Sequence, residues 1–360
     1  MKKNEFLLGV FLSTAFILPF TSCENDDEPV VVEIPEVTEG VYVLNNGKYG
    51  SNNATLSYYD VTSKTVVSDV FSSVNGRKLG DTAQDMLIYG SKMYVAMYGS
   101  KQIEVMDKQG KSLKTLTSKN ADNSLHQPRC FTSANGKVYV SFFDGYVGVI
   151  DTTSLEIGTI VPVGLNPEQL TVANNKVYVA VSEGLNYPNT GTKVAVLNAS
   201  TLAEVTKIDV VKNPINVLSD SQGDVYVISM GDYGTTANNT LQRIDKQTQA
   251  VTTVMDATIM TICNDTIYAI YSQWNQPTVS YIKYDAKNEK LISNNFITDG
   301  TKLTNGPACI KVDPVTGNIY IGDSDYQTNG DMYIFSREGK LINKFEVGLN
   351  PVGAFFISNK

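Results

Sequence analysis

The chain has 360 residues, with 29 Lys and Arg against 37 Asp and Glu, so its formal net charge at neutral pH is −8. This acidic balance disfavours binding to nucleic acids and to anionic membrane surfaces. The 20 tyrosines and the scarcity of helix-period segments favour an all-β protein, because aromatic and β-branched residues suit a pleated sheet.

Residues 1–22 have the features of a signal peptide. Lys2 and Lys3 precede an apolar stretch, Phe6 to Phe20, which is short for a membrane span. Small residues come immediately before Cys23, an arrangement that resembles the lipobox of bacterial lipoproteins. The resemblance implies cleavage before Cys23 and lipidation of this residue, and more than one acyl chain would anchor the protein durably in a membrane. The alternative is an ordinary secreted protein with a chance cysteine.

Residues 23–39 are predicted to comprise the lipidated cysteine and an acidic, flexible stalk. The segment contains the acidic cluster Glu24 to Glu28, several prolines and no periodic pattern. The cluster resembles the surface-export signal of lipoproteins in Bacteroides-like bacteria. This resemblance implies a lipoprotein of the cell outer membrane that is exposed at the cell surface.

One three-residue phrase, a tyrosine between two apolar residues, recurs seven times in the rest of the chain. The spacing between copies is 39 to 52 residues, and each interval has room for several short strands, which is typical of propeller blades. The seven tyrosines are Tyr42, Tyr94, Tyr139, Tyr178, Tyr226, Tyr268 and Tyr320. We therefore predict that 40–360 forms one all-β domain, a seven-bladed β-propeller.

Each repeat predicts a blade of four antiparallel strands, named A to D from the central channel outwards. The A strands are predicted to begin near Ala83, Pro128, Pro167, Pro214, Ala257, Pro307 and Pro351. The domain would then start in a B strand and finish in an A strand, so that the C-terminal strand closes the first blade. Such closure removes free sheet edges, which otherwise invite aggregation.

The antiparallel order places the B–C and D–A connections on one face of the propeller, here called the loop face. The A–B and C–D connections lie on the opposite face, here called the turn face. The B–C segments after Tyr42, Tyr178, Tyr226 and Tyr268 are predicted to be long. The loops of this face combine aromatic rings with amides, which provide contact area and hydrogen bonds, so we expect a ligand on the loop face. The alternative is that these are ordinary turn residues. The predicted ligand-binding residues are Tyr49, Asn53, Tyr98, His126, Arg129, Phe143, Tyr146, Asn186, Tyr187, Tyr233, Gln273, Trp274, Tyr326 and Gln327.

The sequence favours binding over catalysis. Asp85, Glu168 and Asp256 are scattered acids near the A strands, and no nucleophile motif accompanies His126, the single histidine. His126 could ligate a metal held inside a bound cofactor, although a plain loop role is the alternative.

The remaining cysteines, Cys130, Cys263 and Cys309, lie in apolar strands and are expected to be buried, unreactive thiols. Their spacing does not predict a metal site. A Ca²⁺ site in the loop with Asp323 and Asp325 is left open, and no prosthetic group is expected.

Two sets of motifs resemble known families. The Lys-Val-Tyr-Val openings, Asp-Thr caps and Gly-Leu-Asn-Pro phrases resemble the YncE-like, or YVTN, class of propeller over nearly all of 40–360. The acidic cluster after Cys23, together with the segment from Tyr42 to Asn52, looks like the Bacteroides surface propeller lipoproteins called BtuG. That resemblance implies tight capture of cobalamin and related corrinoids as transported ligands. It also implies their transfer to an outer-membrane TonB-dependent cobalamin transporter. A glycan-binding propeller and a scaffold that contacts only other proteins are the alternatives.

Overall fold

The computed structural model describes residues 35–232, 239–273, 276 and 278–360. Over this part of the chain 28 strands form seven sheets, each of four antiparallel strands, and the one α-helix, α1 (Val70–Asn75), is short. The predicted seven-bladed β-propeller is thereby confirmed. The same residues contain no helix with the length and apolar character needed to span a membrane.

The strands follow the predicted A-to-D order in every blade. Blade one contains β1 (Thr38–Asn45), β2 (Thr55–Asp60) and β3 (Val66–Val67), and its innermost strand is β28 (Pro351–Ser358). Blade two contains β4 (Ala83–Tyr89), β5 (Lys92–Met97), β6 (Gln102–Asp107) and β7 (Ser112–Leu116). Blade three contains β8 (Pro128–Ala134), β9 (Lys137–Phe142), β10 (Tyr146–Asp151) and β11 (Glu156–Pro162). Blade four contains β12 (Pro167–Ala173), β13 (Lys176–Val181), β14 (Lys193–Asn198) and β15 (Glu204–Asp209).

The last three blades repeat this arrangement. Blade five contains β16 (Pro214–Ser219), β17 (Val225–Ser229), β18 (Thr240–Ile244) and β19 (Val251–Asp256). Blade six contains β20 (Ile259–Cys263), β21 (Thr266–Ser272), β22 (Val279–Asp285) and β23 (Lys290–Ser293). Blade seven contains β24 (Pro307–Val312), β25 (Ile319–Asp323), β26 (Asn329–Phe335) and β27 (Leu341–Leu349). Six of the seven A strands begin at the predicted residue, and β20 begins two residues after Ala257.

Three asparagines that precede A-strand prolines have a definite backbone role, and two of them, Asn166 and Asn350, belong to the Gly-Leu-Asn-Pro phrase. Asn166, Asn213 and Asn350 each precede an A-strand proline and adopt positive φ angles of 50°, 58° and 60°. Asparagine tolerates this left-handed conformation better than most residues do. The carbonyl of each asparagine accepts a hydrogen bond from the first residue after a B strand, as in Ser182 N to Asn166 O at 3.2 Å. The phrase therefore fastens a D–A connection to a B–C connection on the loop face.

The first blade is closed by strands from both ends of the domain. β28 pairs antiparallel with β1, from Thr38 opposite Ser358 to Asn45 opposite Pro351. Val37 and Asn359 add two hydrogen bonds beyond the strands, at 3.0 and 3.2 Å. Since β1 starts at Thr38, the first strand begins two residues before the predicted propeller boundary at residue 40.

The core lies between the blades. Seven clusters of buried apolar side chains occur, one at each interface between neighbouring blades, and the cluster of Val41, Val43, Tyr320 and Met332 joins blade seven to blade one. All seven repeat tyrosines are buried. Burying such a side chain contributes roughly 1.5 to 3 kcal/mol. The tyrosine phrase therefore recurs in the sequence because each blade packs against its neighbour through the same position.

Three of these tyrosines also bond to the next blade. The hydroxyl of Tyr42 donates to Lys108 O at 2.9 Å, and that of Tyr139 donates to Ala199 O at 2.7 Å. Tyr226 makes the corresponding bond to Ala286 O at 2.9 Å. Each acceptor lies in a C–D connection, so these tyrosines fasten neighbouring blades at the turn face.

Candidate ligand-binding face

The B–C connections of the loop face differ in length between blades. Those of blades one, four and five are long and span 46–54, 182–192 and 230–239. In blade six the predicted long connection is only 273–278, because β21 and β22 take up the additional residues as seven-residue strands. The spacing of the repeat correctly predicts the number of residues between Tyr268 and the end of the C strand, but these additional residues belong to the strands and not to the loop.

Three D–A connections are also long, which the sequence analysis missed. They span 68–82, 117–127 and 294–306, whereas the other four have between one and four residues. The first of them contains α1, whose N-terminal cap is Asp69; its Oδ1 accepts from Ser72 N at 3.2 Å. The loop face is therefore built from both classes of connection, on blades that are held rigidly by the core.

Four predicted residues come together across blades one, two and three. The rings of Tyr49 and Tyr98 have centroids 6.1 Å apart, and Tyr98 meets Phe143 edge to face at 5.7 Å. The guanidinium of Arg129 lies over the Phe143 ring, 4.9 Å from its centroid. We call Tyr49, Tyr98, Phe143 and Arg129 the aromatic row. The row is a continuous series of contacts in which Tyr49 is 70% exposed, Tyr98 and Arg129 are half-buried, and Phe143 is buried.

Arg129 is held in place by two groups that the sequence analysis did not place in the site. Its Nε donates to Glu168 Oε2 at 2.6 Å, and one terminal nitrogen donates to Gln84 Oε1. Gln84, Arg129 and Glu168 each lie at the second position of an A strand, where the pairing register shifts by a β-bulge. A β-bulge changes the direction in which a side chain points. Comparing the second residue of each A strand would have identified Gln84 and Glu168 as partners of Arg129.

The hydroxyl of Tyr98 stays protonated at neutral pH. Burial and the neighbouring Tyr49 raise its pKa above the usual 10.0. A neutral phenol can donate one hydrogen bond and accept others. Together with the paired Arg129 and Glu168, the aromatic row therefore presents a surface with little net charge.

A partly buried acid lies next to this network. Asp85 Oδ2 accepts a hydrogen bond from Phe131 N at 2.9 Å. Burial raises the pKa of Asp85 to about 6, although the positive charges of Lys311 and Arg129 act in the opposite direction. A strongly perturbed carboxyl near a candidate site is a feature that functional sites often share.

His126 and Tyr146 form a separate group. The His126 side chain is 4% exposed, and its Nδ1 lies 2.7 Å from Asp144 Oδ2. Its ring packs against Tyr146 and Phe142, at centroid distances of 4.8 and 5.0 Å. Asp144 also accepts from the amide of Gln127 at 2.9 Å. These contacts give His126 a role in holding the 117–127 connection, so contact with a ligand would require that connection to open.

Blade four has exposed apolar side chains on the loop face, of which the sequence predicted only one. Tyr187 was predicted, but Leu185 beside it is 77% exposed and Leu165 in the preceding D–A connection is also exposed. The Leu185 amide donates to Asn166 Oδ1 at 3.1 Å, which fixes one loop against the other. Clustered apolar groups on an otherwise polar surface often mark a contact site.

The predicted amide-bearing residues mostly form hydrogen bonds within their own loops. Asn53 Oδ1 accepts from Lys48 N at 2.9 Å, and Asn186 Nδ2 donates to Asn189 O at 3.1 Å. Gln327 is exposed, and its backbone amide donates to Asp325 Oδ1 at 2.8 Å. The structure thus separates Asn53, Asn186 and Gln327 instead of joining them in one set.

Gln273 and Tyr326 line a cleft between blades six and seven. The cleft has a volume of about 810 Å³ and opens on the loop face. This volume lies within the range of small-molecule sites. Tyr233, Trp274 and Cys23 lie outside the described residues, so their predicted roles stay predictions.

The acids considered for Ca²⁺ already have protein donors. Asp323 is fully buried and accepts from the amides of 304–306, and Asp325 accepts from the amides of Gln327 and Thr328. Within the described ranges, no three His, Cys, Asp or Glu side chains are grouped so that they could hold a metal ion.

The three described cysteines are free thiols in A strands. Cys309 is buried as predicted, whereas Cys130 and Cys263 are half-buried. Burial raises the pKa of Cys130 and Cys263, and raises that of Cys309 to about 11. A thiol is a nucleophile only after it loses its proton. These groups are therefore unsuited to nucleophilic chemistry at neutral pH.

The sequence matches one family model over residues 39–356, that of a domain of unknown function, DUF5074. The chain belongs to the DUF5074 family. The match covers all seven blades and ends within β28. No curated protein sequence matches the chain.

Solved structures with the same fold share little sequence with this family member. A quinonprotein alcohol dehydrogenase-like protein from Bacteroides thetaiotaomicron is 18% identical, with a TM-score of 0.62, over 89% of this chain and 78% of that one. A 6-phosphogluconolactonase-like protein from Bacteroides fragilis is 12% identical, with a TM-score of 0.61, over 89% and 98%. Kuenenia stuttgartiensis hydrazine synthase is 14% identical, with a TM-score of 0.59, over 75% and 88%. At these identities the likeness shows the propeller fold, and one fold hosts many functions.

Proposed function

We propose that this protein is a binding protein that captures cobalamin and related corrinoids on the loop face. The observation that carries the proposal is the aromatic row of Tyr49, Tyr98, Phe143 and Arg129, which is continuous across three blades. A corrin ring is broad and has many amides at its edge. Aromatic faces supply contact area, and the Tyr98 hydroxyl and Arg129 supply hydrogen bonds to amide oxygens.

Charge supports the same ligand class. Arg129 is paired with Glu168 at 2.6 Å, so the row offers hydrogen bonds without the unpaired charge that would select an ionic ligand. The exposed Leu165, Leu185 and Tyr187 extend the apolar surface onto blade four. A wide and nearly neutral ligand would cover both regions.

We propose binding without catalysis. Three acids of this face already have bonded partners: Glu168 pairs with Arg129, Asp144 with His126, and Asp323 with backbone amides. None of these three carboxylates is poised with a free partner for general acid or base chemistry.

The proposed cellular setting follows from the N-terminal motifs. Lipidated Cys23 would anchor the protein in the lipid of the outer membrane, and the acidic stalk would carry the propeller to the cell surface. From there the corrinoid would pass to an outer-membrane TonB-dependent cobalamin transporter. These steps are supported by sequence resemblance.

The test is calorimetry of unlipidated residues 24–360 with cyanocobalamin. A one-to-one complex with a raised melting temperature is expected, because a ligand that binds only the folded state stabilises it. Absence of heat at micromolar protein would remove the corrinoid proposal.

Variants then locate the site. The double change Tyr49→Ala and Tyr98→Ala should weaken binding about a hundredfold, or roughly 2.7 kcal/mol, mainly through faster release. Leu113→Ala is the matched control, since this exposed apolar residue lies on β7 at the outer edge of blade two. Unchanged affinity in the double variant would show that the aromatic row is not the site.

A further inference from the structure

The cleft between blades six and seven is separate from the aromatic row. It is lined by the 294–306 connection on one side and by Gln273, Gln276 and Tyr326 from the two flanking B–C connections. The aromatic row occupies blades one to three instead. A volume of about 810 Å³ leaves room for two or three linked six-membered rings.

The chemistry of this cleft is polar but nearly uncharged. Eight of its described lining residues carry a hydroxyl or amide side chain, two are tyrosines, and only Lys302 and Asp325 are charged. The Asp325 carboxylate is engaged in its own loop, where it accepts from two amides and from the Thr328 hydroxyl at 2.9 Å. Such a lining pairs hydrogen-bonding groups with aromatic faces and offers little to an anion or a cation.

Hydrogen bonds hold one wall of the cleft, the 294–306 connection, in place. Buried Asp323 accepts from the amides of Asn305, at 3.0 Å, and Gly306, at 2.5 Å, which holds the 294–306 connection against the end of β25. Thr304 Oγ1 lies 2.9 Å from the hydroxyl of Tyr333. The Asn305 side chain, whose Nδ2 also donates a long hydrogen bond of 3.5 Å to Asp323 Oδ2, is therefore held on a rigid support, which lowers the entropy lost on binding.

Tyr326 stands at the rim in an unusual backbone conformation. Its φ is 62°, in the left-handed region that bulky residues rarely adopt, and its side chain is 55% exposed. The Ser324 hydroxyl accepts from the Tyr326 amide at 3.0 Å and supports this geometry. Strained residues that the surroundings hold in place concentrate at ligand sites, and here the strain displays an aromatic ring at the cleft.

We propose that this cleft binds a neutral sugar, with Tyr326 as the stacking platform and Asn305 as a hydrogen-bonding partner of the ring hydroxyls. Sugars combine apolar C–H faces with a rim of hydroxyls, and an aromatic ring beside amides matches both. The inference does not depend on corrinoid capture, because it uses other residues in other blades.

The experiment titrates residues 24–360 with three neutral disaccharides, maltose, cellobiose and N,N′-diacetylchitobiose, by calorimetry and saturation-transfer NMR. At least one should bind with a Kd of about 5 mM or tighter, as expected for a small polar ligand. Tyr326→Asn, which suits the left-handed backbone, should weaken that binding at least about tenfold, and Asn305→Ala about threefold or more.

The matched control is Tyr187→Asn, which removes an exposed tyrosine from a different B–C connection. It should leave sugar binding unchanged, and melting curves should show that all three variants are folded. The proposal is overturned if none of the disaccharides binds at about 20 mM, a concentration that would detect even weak complexes. It is also overturned if binding survives both cleft variants or is lost in Tyr187→Asn.

Discussion

Asp85, which lies next to the hydrogen-bonded group of Arg129, Glu168 and Gln84, provides a test of how burying a carboxyl affects stability. Burial raises its pKa from the ordinary 3.8 to about 6, against the opposing charges of Lys311 and Arg129. Each pKa unit corresponds to about 1.4 kcal/mol, so ionised Asp85 would cost up to about 3 kcal/mol. Because the side chain is partly exposed and solvent screens its charge, we expect a cost of about 1 to 2 kcal/mol.

The direction of the pH dependence follows from proton binding. Between pH 3.8 and about 6 the folded state holds the Asp85 proton more firmly than the unfolded state does, so the stability of the wild type falls as the pH rises through this window. Asp85→Asn cannot ionise. It should therefore be more stable than the wild type by about 1 to 2 kcal/mol at pH 7.5, with a much smaller difference at pH 4.

Urea or thermal unfolding followed by circular dichroism at both pH values measures the effect. Asp245→Asn is the control with the opposite sign, because hydrogen bonds from Thr248 lower the Asp245 pKa to about 2. Its carboxylate stabilises the fold above pH 3.8, and the variant should therefore be less stable at pH 7.5. A less stable Asp85→Asn at pH 7.5 would refute the reasoning and show that attraction to Lys311 and Arg129 outweighs burial.

Three further predictions concern the fold. Tyr139→Phe should lower the free energy of unfolding by about 1 kcal/mol, because the Tyr139 hydroxyl donates to Ala199 O. Tyr94→Phe should leave stability unchanged or raise it, since the buried Tyr94 hydroxyl lacks a partner in the described chain. Equal melting temperatures for the two variants would contradict this. Deletion of 351–360 should abolish cooperative unfolding and promote aggregation, because it exposes the edge of β1. Size-exclusion chromatography and melting curves measure both effects, and a monomer that unfolds cooperatively would contradict the prediction. Cys309, whose pKa burial raises to about 11, should resist iodoacetamide at pH 8 until the protein is unfolded, and mass spectrometry would detect any earlier alkylation.

The fold could be predicted because its information is local and repeated. The seven tyrosines mark strands that are buried on both faces. A proline marks the start of five of the seven A strands, and in three of these it follows an asparagine in the left-handed conformation. Each signal lies within a few residues of the element that it predicts. Repetition then distinguishes a blade from a chance pattern.

The candidate site was less predictable, since its contacts join residues from different blades. Arg129 bonds to Glu168, 39 positions further along the chain, and His126 pairs with Asp144. The latter two residues are 18 positions apart, with both β8 and β9 between them, and neither pairing follows from composition or spacing. The interval after Tyr268 was also ambiguous, because its length fits equally a long loop or two longer strands.

The closure of blade one also decides where the chain enters the domain. Thr38, the first residue of β1, lies opposite Ser358, and its hydroxyl donates to the Asp313 carboxylate in an A–B connection at 2.8 and 2.9 Å. The entry point is therefore on the turn face. The aromatic row and the cleft lie at the other end of the strands, so the first strand of the propeller starts on the face opposite to both candidate sites.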